Sequence, residues 1–198
     1  MKKKYYYTVA YIAAFGTLWG LSESTLGTLL HALGIPMKGA LLTAIGAFIV
    51  LCGARLLPDQ RGIPLIGMGF IAGSIKILSL GYLRVNILTS ILIESLLLQA
   101  GVSLFGYNRI GFLVGGMMAC LWPLIQRVLI YGILFGHGIQ AIYLEMLRTG
   151  SARLGIPLTG FATLLTLLFI AHASLGALVG FLAWRLSRRF GHARHDPV

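Results

Sequence analysis

Six long apolar runs joined by short polar connections leave this chain few ways to fold. They cover about 8–33, 39–57, 63–80, 85–105, 110–135 and 157–186. Each has roughly 18 residues or more, enough to cross a hydrocarbon core of about 30 Å as a helix. Hydrophobic residues are 58% of the 198 and charged residues only 11%, with a mean hydropathy of +0.88. The expected fold is all-α: a polytopic membrane protein with six transmembrane helices in one bundle and a single domain over residues 1–198. The first run reads as a mature span and not a cleaved signal, because it is long and carries Glu23.

The net charge of +11 resembles a nucleic-acid signature until its positions are sorted. Lys2, Lys3, Lys4, Arg55, Arg61, Arg109, Arg185, Arg188, Arg189 and Arg194 fall at one set of run ends. Only Lys38, Arg84, Arg148 and Arg153 fall at the other. With six spans this is a positive-inside pattern, which places both termini in the cytoplasm and the protein in the inner membrane. The basic ends then rest near anionic lipid headgroups, and no basic patch is left for nucleic acid. The longest connection, 136–156, carries an apolar stripe of Ile139, Ile142, Tyr143, Met146 and Leu147, with Gln140, Glu145 and Arg148 off it. That pattern predicts a short amphipathic interfacial helix between the fifth and sixth spans, serving as a connector on lipid or as a lid.

Charges inside the runs carry the most information. A charge at a helix centre is disfavoured by roughly 2.5–3.5 kcal/mol on insertion scales, so each needs a partner or a function. Glu23 shares a face with Ala13, Gly16, Gly20, Gly27 and His31, and Gly69, Gly73 and Lys76 repeat its Gly-x-x-x-Gly-x-x-charge spacing. An ion pair between Glu23 and Lys76 is expected. Asn86, Ser90 and Glu94 are four apart in the fourth run, with Arg84 at its mouth, and Gly116, Cys120, Pro123 and Arg127 share a face of the fifth. Pro123 frees the carbonyl of Ala119, which must then line a cavity or find a neighbour.

Glu23, Lys76, Arg84, Asn86, Glu94 and Arg127 are therefore the candidate substrate-binding groups, gathered in the outer half of the bundle. His31, His172, Trp19, Trp122 and Gln126 are secondary candidates, for which ordinary packing and hydrogen bonding are equally in view. The same charges also fit a buried network that only sets helix register. Gly176 and Gly180 in the last run, and Gly39, Gly46 and Gly53 in the second, read as helix-packing faces.

Reaction chemistry finds no foothold. Neither an intramembrane serine-protease motif, nor H-E-x-x-H, nor a phosphate-binding loop is present, and Cys52 and Cys120 have no partners at metal-ligand spacing. No catalytic residue, metal or cofactor is expected. The small size, the six runs, the glycine content, the basic ends and the outer polar pocket together resemble the substrate-binding S components of energy-coupling factor transporters. Ala10-Tyr11-Ile12-Ala13-Ala14 matches the A-x-x-x-A pattern of that family's first helix. The resemblance implies capture of a small vitamin-like or micronutrient-like solute from outside. It further implies docking through Ala10 and Ala14 onto a membrane scaffold protein that works with separately encoded ATPase subunits. Three basic and two acidic groups favour an anionic or zwitterionic solute. An accessory subunit of a larger membrane complex is the alternative reading, and a membrane enzyme acting on a lipid-like substrate the third.

Overall fold

The computed structural model describes residues 2–34, 37–57, 63–80, 85–135, 139–155 and 161–192. Among these residues the chain forms seven helices: α1 (Lys2–Ala32), α2 (Lys38–Leu56), α3 (Pro64–Leu80), α4 (Val85–Phe105), α5 (Arg109–Phe135), α6 (Ile139–Leu154) and α7 (Phe161–His192). Four stretches are long and apolar enough to cross a membrane: Lys38–Leu56, Val85–Phe105, Arg109–Arg127 and Leu165–Arg188. The apolar stretch of α3, Pro64–Ser79, is shorter.

Of the six expected spans, those of α1 and α3 are not among these four. α1 has 31 residues and ample length, but its glycines, Ser22, Ser24, Thr25, Thr28 and Glu23 dilute its apolar character. Its hydroxyls turn back to carbonyls of their own helix, and the glycines with Glu23 form the face packed against protein. The buried positions of α1 are Gly16, Trp19, Gly20, Glu23 and Gly27, whereas Leu18, Leu21 and Leu29 point outward. Ala13 and His31, placed on the same face by their spacing, are exposed at its two ends. Gly16 lies against Met68 and Ile71, and Gly20 against Ala72 and Ile75, so the small-residue stripe is the seam between α1 and α3.

Among the described residues the helices close a ring in the order α1, α3, α4, α5, α7, α2. α2 also reaches inward to touch α3, α4 and α5. It is the post on which the others lean, and its buried residues are mostly small: Ala40, Ala44, Gly46, Ala47, Gly53 and Ala54. Gly46 illustrates the reason. The indole of Trp19 occupies the space that a Cβ at Gly46 would fill. Only glycine lets this fully buried ring lie across α2.

The apolar core, built on Trp19, Val50, Leu51, Leu65, Met68, Leu98, Val102 and Phe112, occupies the half of the bundle that contains the α2–α3 and α4–α5 connections. Gln99 is a polar exception there. Its Oε1 accepts a hydrogen bond from the Leu65 backbone N–H at 3.1 Å, capping the first turn of α3, and its amide nitrogen donates to Ser103 at 2.9 Å. Outside the ring, Phe70, Leu78, Leu96, Leu104, Phe169 and Leu178 on three helices are strongly exposed. Such a belt is a liability in water and the ordinary condition in lipid.

α6 forms where the amphipathic helix was expected and touches only α5 and α7 among the described residues. Glu145 and Arg148 are exposed on it. The side chains of the predicted stripe, Ile139, Ile142, Tyr143, Met146 and Leu147, lie outside the described residues.

Candidate functional site

Opposite the apolar core, at the end where α1 finishes and α2 begins, the bundle holds a cavity of about 340 Å³ between α1, α2, α4 and α5. That volume lies in the range of small-ligand pockets, roughly 300–1,000 Å³. α1 contributes Glu23, α2 contributes Gly39, Leu42 and Thr43, and α4 contributes Asn86, Ser90 and Glu94. α5 contributes Pro123, Gln126 and Arg127.

The four-residue spacing on α4 sets one wall. Asn86, Ser90 and Glu94 descend it a turn at a time, from exposed Asn86 to Glu94, which is 4% exposed. Across from them, Gln126 of α5 donates from its amide nitrogen to the Asn86 main-chain carbonyl at 3.0 Å. This fixes the amide so that Gln126 Oε1 faces Ser90, 2.8 Å from its hydroxyl. The same hydroxyl is 2.9 Å from Glu94 Oε1. Ser90 has one proton and stands between two oxygens, so both contacts are satisfied together only when the Glu94 carboxyl carries a proton of its own.

Glu94 Oε2 has no hydrogen-bond partner although it is fully buried. The nearby Thr43 hydroxyl donates to the Gly39 carbonyl at 3.0 Å. A buried acceptor without a donor is costly, by about 1–3 kcal/mol, and marks a position that a bound molecule can complete. Glu23, 7% exposed, supplies a second carboxyl to the same cavity, and Arg127 stands exposed at its open side.

Of the predicted binding residues, the structure brings Glu23, Asn86, Glu94 and Arg127 together, with Gln126 from the secondary set. Lys76 is placed differently. It is buried beside the site, and its ammonium donates to the Glu23 main-chain carbonyl. The two side chains attract electrostatically, but the hydrogen bond runs to the α1 backbone and not to the carboxylate that the spacing argument paired with it. Gly27 leaves room for that amine.

Arg84 lies outside the described residues. His172 is buried with Nδ1 2.7 Å from the Leu168 carbonyl, and His31 is exposed with Nδ1 2.8 Å from that of Gly27. Both are intrahelical contacts, and neither ring lines the cavity. Trp19 and Trp122 lie outside it as well, each with a buried indole N–H that meets no acceptor. Ala10 and Ala14 are exposed on the outer surface of α1. Thr43, Gly39 and Pro123 escaped the sequence reading as site residues. Thr43 is the one with a visible signal, a hydroxyl four residues after Gly39 in an otherwise apolar helix. No group of three or more potential metal ligands occurs among the described residues.

The exposed apolar belt and the four spanning-length helices place this chain in the class of membrane-embedded helical proteins. No family model matches it, and neither does any curated protein or solved structure.

Proposed function

We propose that this protein is the solute-binding membrane subunit of an importer, of the kind found as S components in energy-coupling factor transporters. The observation that carries the reading is the cavity itself: two buried carboxyls and a guanidinium converge on a small-molecule-sized space in a bundle whose other half is apolar. A network that only set helix register would need no such space.

In this reading α1 and α3 span the inner membrane with the other four long helices, giving six spans and cytoplasmic termini. The cavity opens outward, and α6 lies on the outer surface beside its mouth. Ala10 and Ala14, exposed on α1, are free to dock on a scaffold protein that couples to separately encoded ATPases. The lining also adjusts the solute class. With Lys76 turned to the α1 backbone, the described lining holds two carboxyls and one guanidinium, which suits a zwitterion or an amine better than a simple anion.

The test is to purify the protein from its membrane and identify any retained small molecule by mass spectrometry. Glu23→Gln and Arg127→Met are expected to lose that solute at least about tenfold, the effect of one lost charge-assisted hydrogen bond, with thermal melting unchanged. Retention of the same solute by both variants would end this reading.

A further inference from the structure

At the other end of the bundle, a second cavity of about 940 Å³ opens between α2, α5 and α7. Three arginines from three helices line it: Arg55 of α2, Arg109 of α5 and Arg188 of α7. Among the described residues its lining contains no acidic residue. A positive-inside bias explains basic residues at helix ends, but it does not require them to converge on one space. Like charges gathered there repel one another unless an anion joins them.

Among the described residues the guanidinium groups are held in place by carbonyl and aromatic contacts, not by carboxylates. Arg55 donates from Nη1 to the Tyr107 main-chain carbonyl at 2.6 Å. That uses one of its five N–H groups and leaves the others to turn elsewhere. Arg109 lies 5.1 Å from the Phe181 ring centre and 5.8 Å from that of Trp184, and Arg188 lies 5.1 Å from Trp184. Cation–π contact orients both guanidiniums while their charge persists. Asn108, also in the lining, caps α5, its Oδ1 accepting from the Ile110 and Gly111 backbone N–H groups at 2.8 and 3.1 Å.

Ile110, Leu113, Val114 and Met117 continue the lining along α5 away from the charges. From Arg109 to Met117 is about 12 Å along the helix axis at 1.5 Å per residue. The cavity is thus cationic at the end of the bundle and apolar as it runs towards the middle, with Trp184 at the boundary. A soluble phosphate would use only the first part. A phospholipid uses both, with its phosphate on the arginines and its acyl chain along the apolar wall.

We propose that this cavity is a binding site for one anionic phospholipid, recognised through its phosphate and acidic headgroup by Arg55, Arg109 and Arg188. The proposal is independent of the solute reading, since the two cavities share no lining residue.

The full chain, reconstituted in vesicles of equal phosphatidylglycerol and phosphatidylcholine and then released into detergent, is examined by native mass spectrometry. One retained phosphatidylglycerol per chain is expected, with at least about a tenfold preference over phosphatidylcholine. The double variant R109Q/R188Q is expected to lose that preference, and R148Q on α6 to keep it. Inorganic phosphate added at millimolar concentration is expected not to displace the lipid. Equal retention of the two lipids by the unaltered chain overturns the proposal, as does undiminished preference in R109Q/R188Q. Displacement by phosphate assigns the arginines to a soluble anion and overturns the lipid assignment. The lipid comparison and the phosphate competition use the unaltered chain, so they decide the matter even if the double variant fails to fold.

Discussion

Gly176→Leu is expected to abolish recovery of a folded, monodisperse bundle, whereas Gly150→Leu is expected to leave it intact. α5 and α7 cross with their backbones in contact at Gly116, Gly176 and Gly180. A Cβ at Gly176 would stand 2.7 Å from the Gly116 carbonyl carbon and from Met117 Cα. At Gly180 it would stand 2.7 Å from the carbonyl carbon of Phe112 and 2.9 Å from Leu113 Cα. These neighbours are main chain, so no rotamer change relieves the overlap and the helices must separate. Overpacking costs about 1–3 kcal/mol where side chains can adjust. A leucine against backbone belongs at or above the top of that range, and the dispersion contacts that hold membrane helices together are lost with it. Gly150, on α6, has nothing within 4 Å of its Cβ position and serves as the control. Size-exclusion profiles and thermal melts in detergent are the measurements, and a G176L variant that melts like the unaltered chain would refute the crossing geometry.

Glu94→Leu is expected to reduce solute retention by about a hundredfold, equivalent to roughly 2.7 kcal/mol, while Glu94→Gln keeps most of it. The difference follows from the hydrogen count at Ser90. A glutamine amide at position 94 donates to the Ser90 hydroxyl, which then donates to Gln126 Oε1, so the link from α4 to α5 stays complete. Its carbonyl oxygen still presents an acceptor where Oε2 now stands unpartnered. Leucine removes the acceptor and leaves Ser90 one contact short in a buried place, a loss in the range of about 1–3 kcal/mol. Equilibrium binding of the solute identified by mass spectrometry gives the affinities, and melting curves report the fold separately. Equal affinities for E94L and E94Q would show that the carboxyl does not touch the ligand.

Spacing alone made a good part of this architecture legible. Runs of apolar residues located α2, α4, α5 and α7, and glycines at four-residue steps marked packing faces on α1 and α7, which meet α3 and α5. The Asn86–Ser90–Glu94 stripe was visible because one helical face is a local property. What spacing does not carry is the identity of the atom across the seam. Glu23 and Lys76 do meet, but the long lysine stem reaches the α1 main chain, and a repeat in sequence cannot distinguish a carboxylate from a carbonyl. Thr43 was overlooked because it is a single polar residue in an apolar run, and Gln99 because it stands off the Asn86–Ser90–Glu94 face of α4. The partners that give them meaning, the cavity between α1, α2, α4 and α5 for Thr43 and the start of α3 for Gln99, appear only when helices are assembled. Apolarity likewise overstated the likeness of α1 to the other spans, since its glycines serve a protein-facing seam.

The central place of α2 also orders events in time. Ribosomes deliver the chain from α1 onward, yet the surfaces that enclose α2 come from α1, then α5 and finally α7, whose Ala183 carbonyl meets the Cys52 thiol at 3.9 Å across 131 residues of sequence. Until α7 is inserted, the side of α2 bearing Cys52 and the glycine seam of α5 wait uncovered in the bilayer. Chains halted before residue 161 should therefore leave Cys52 open to a membrane-permeant maleimide, and chains extended through 192 should close it. The last long helix acts as the latch on a bundle begun by the second.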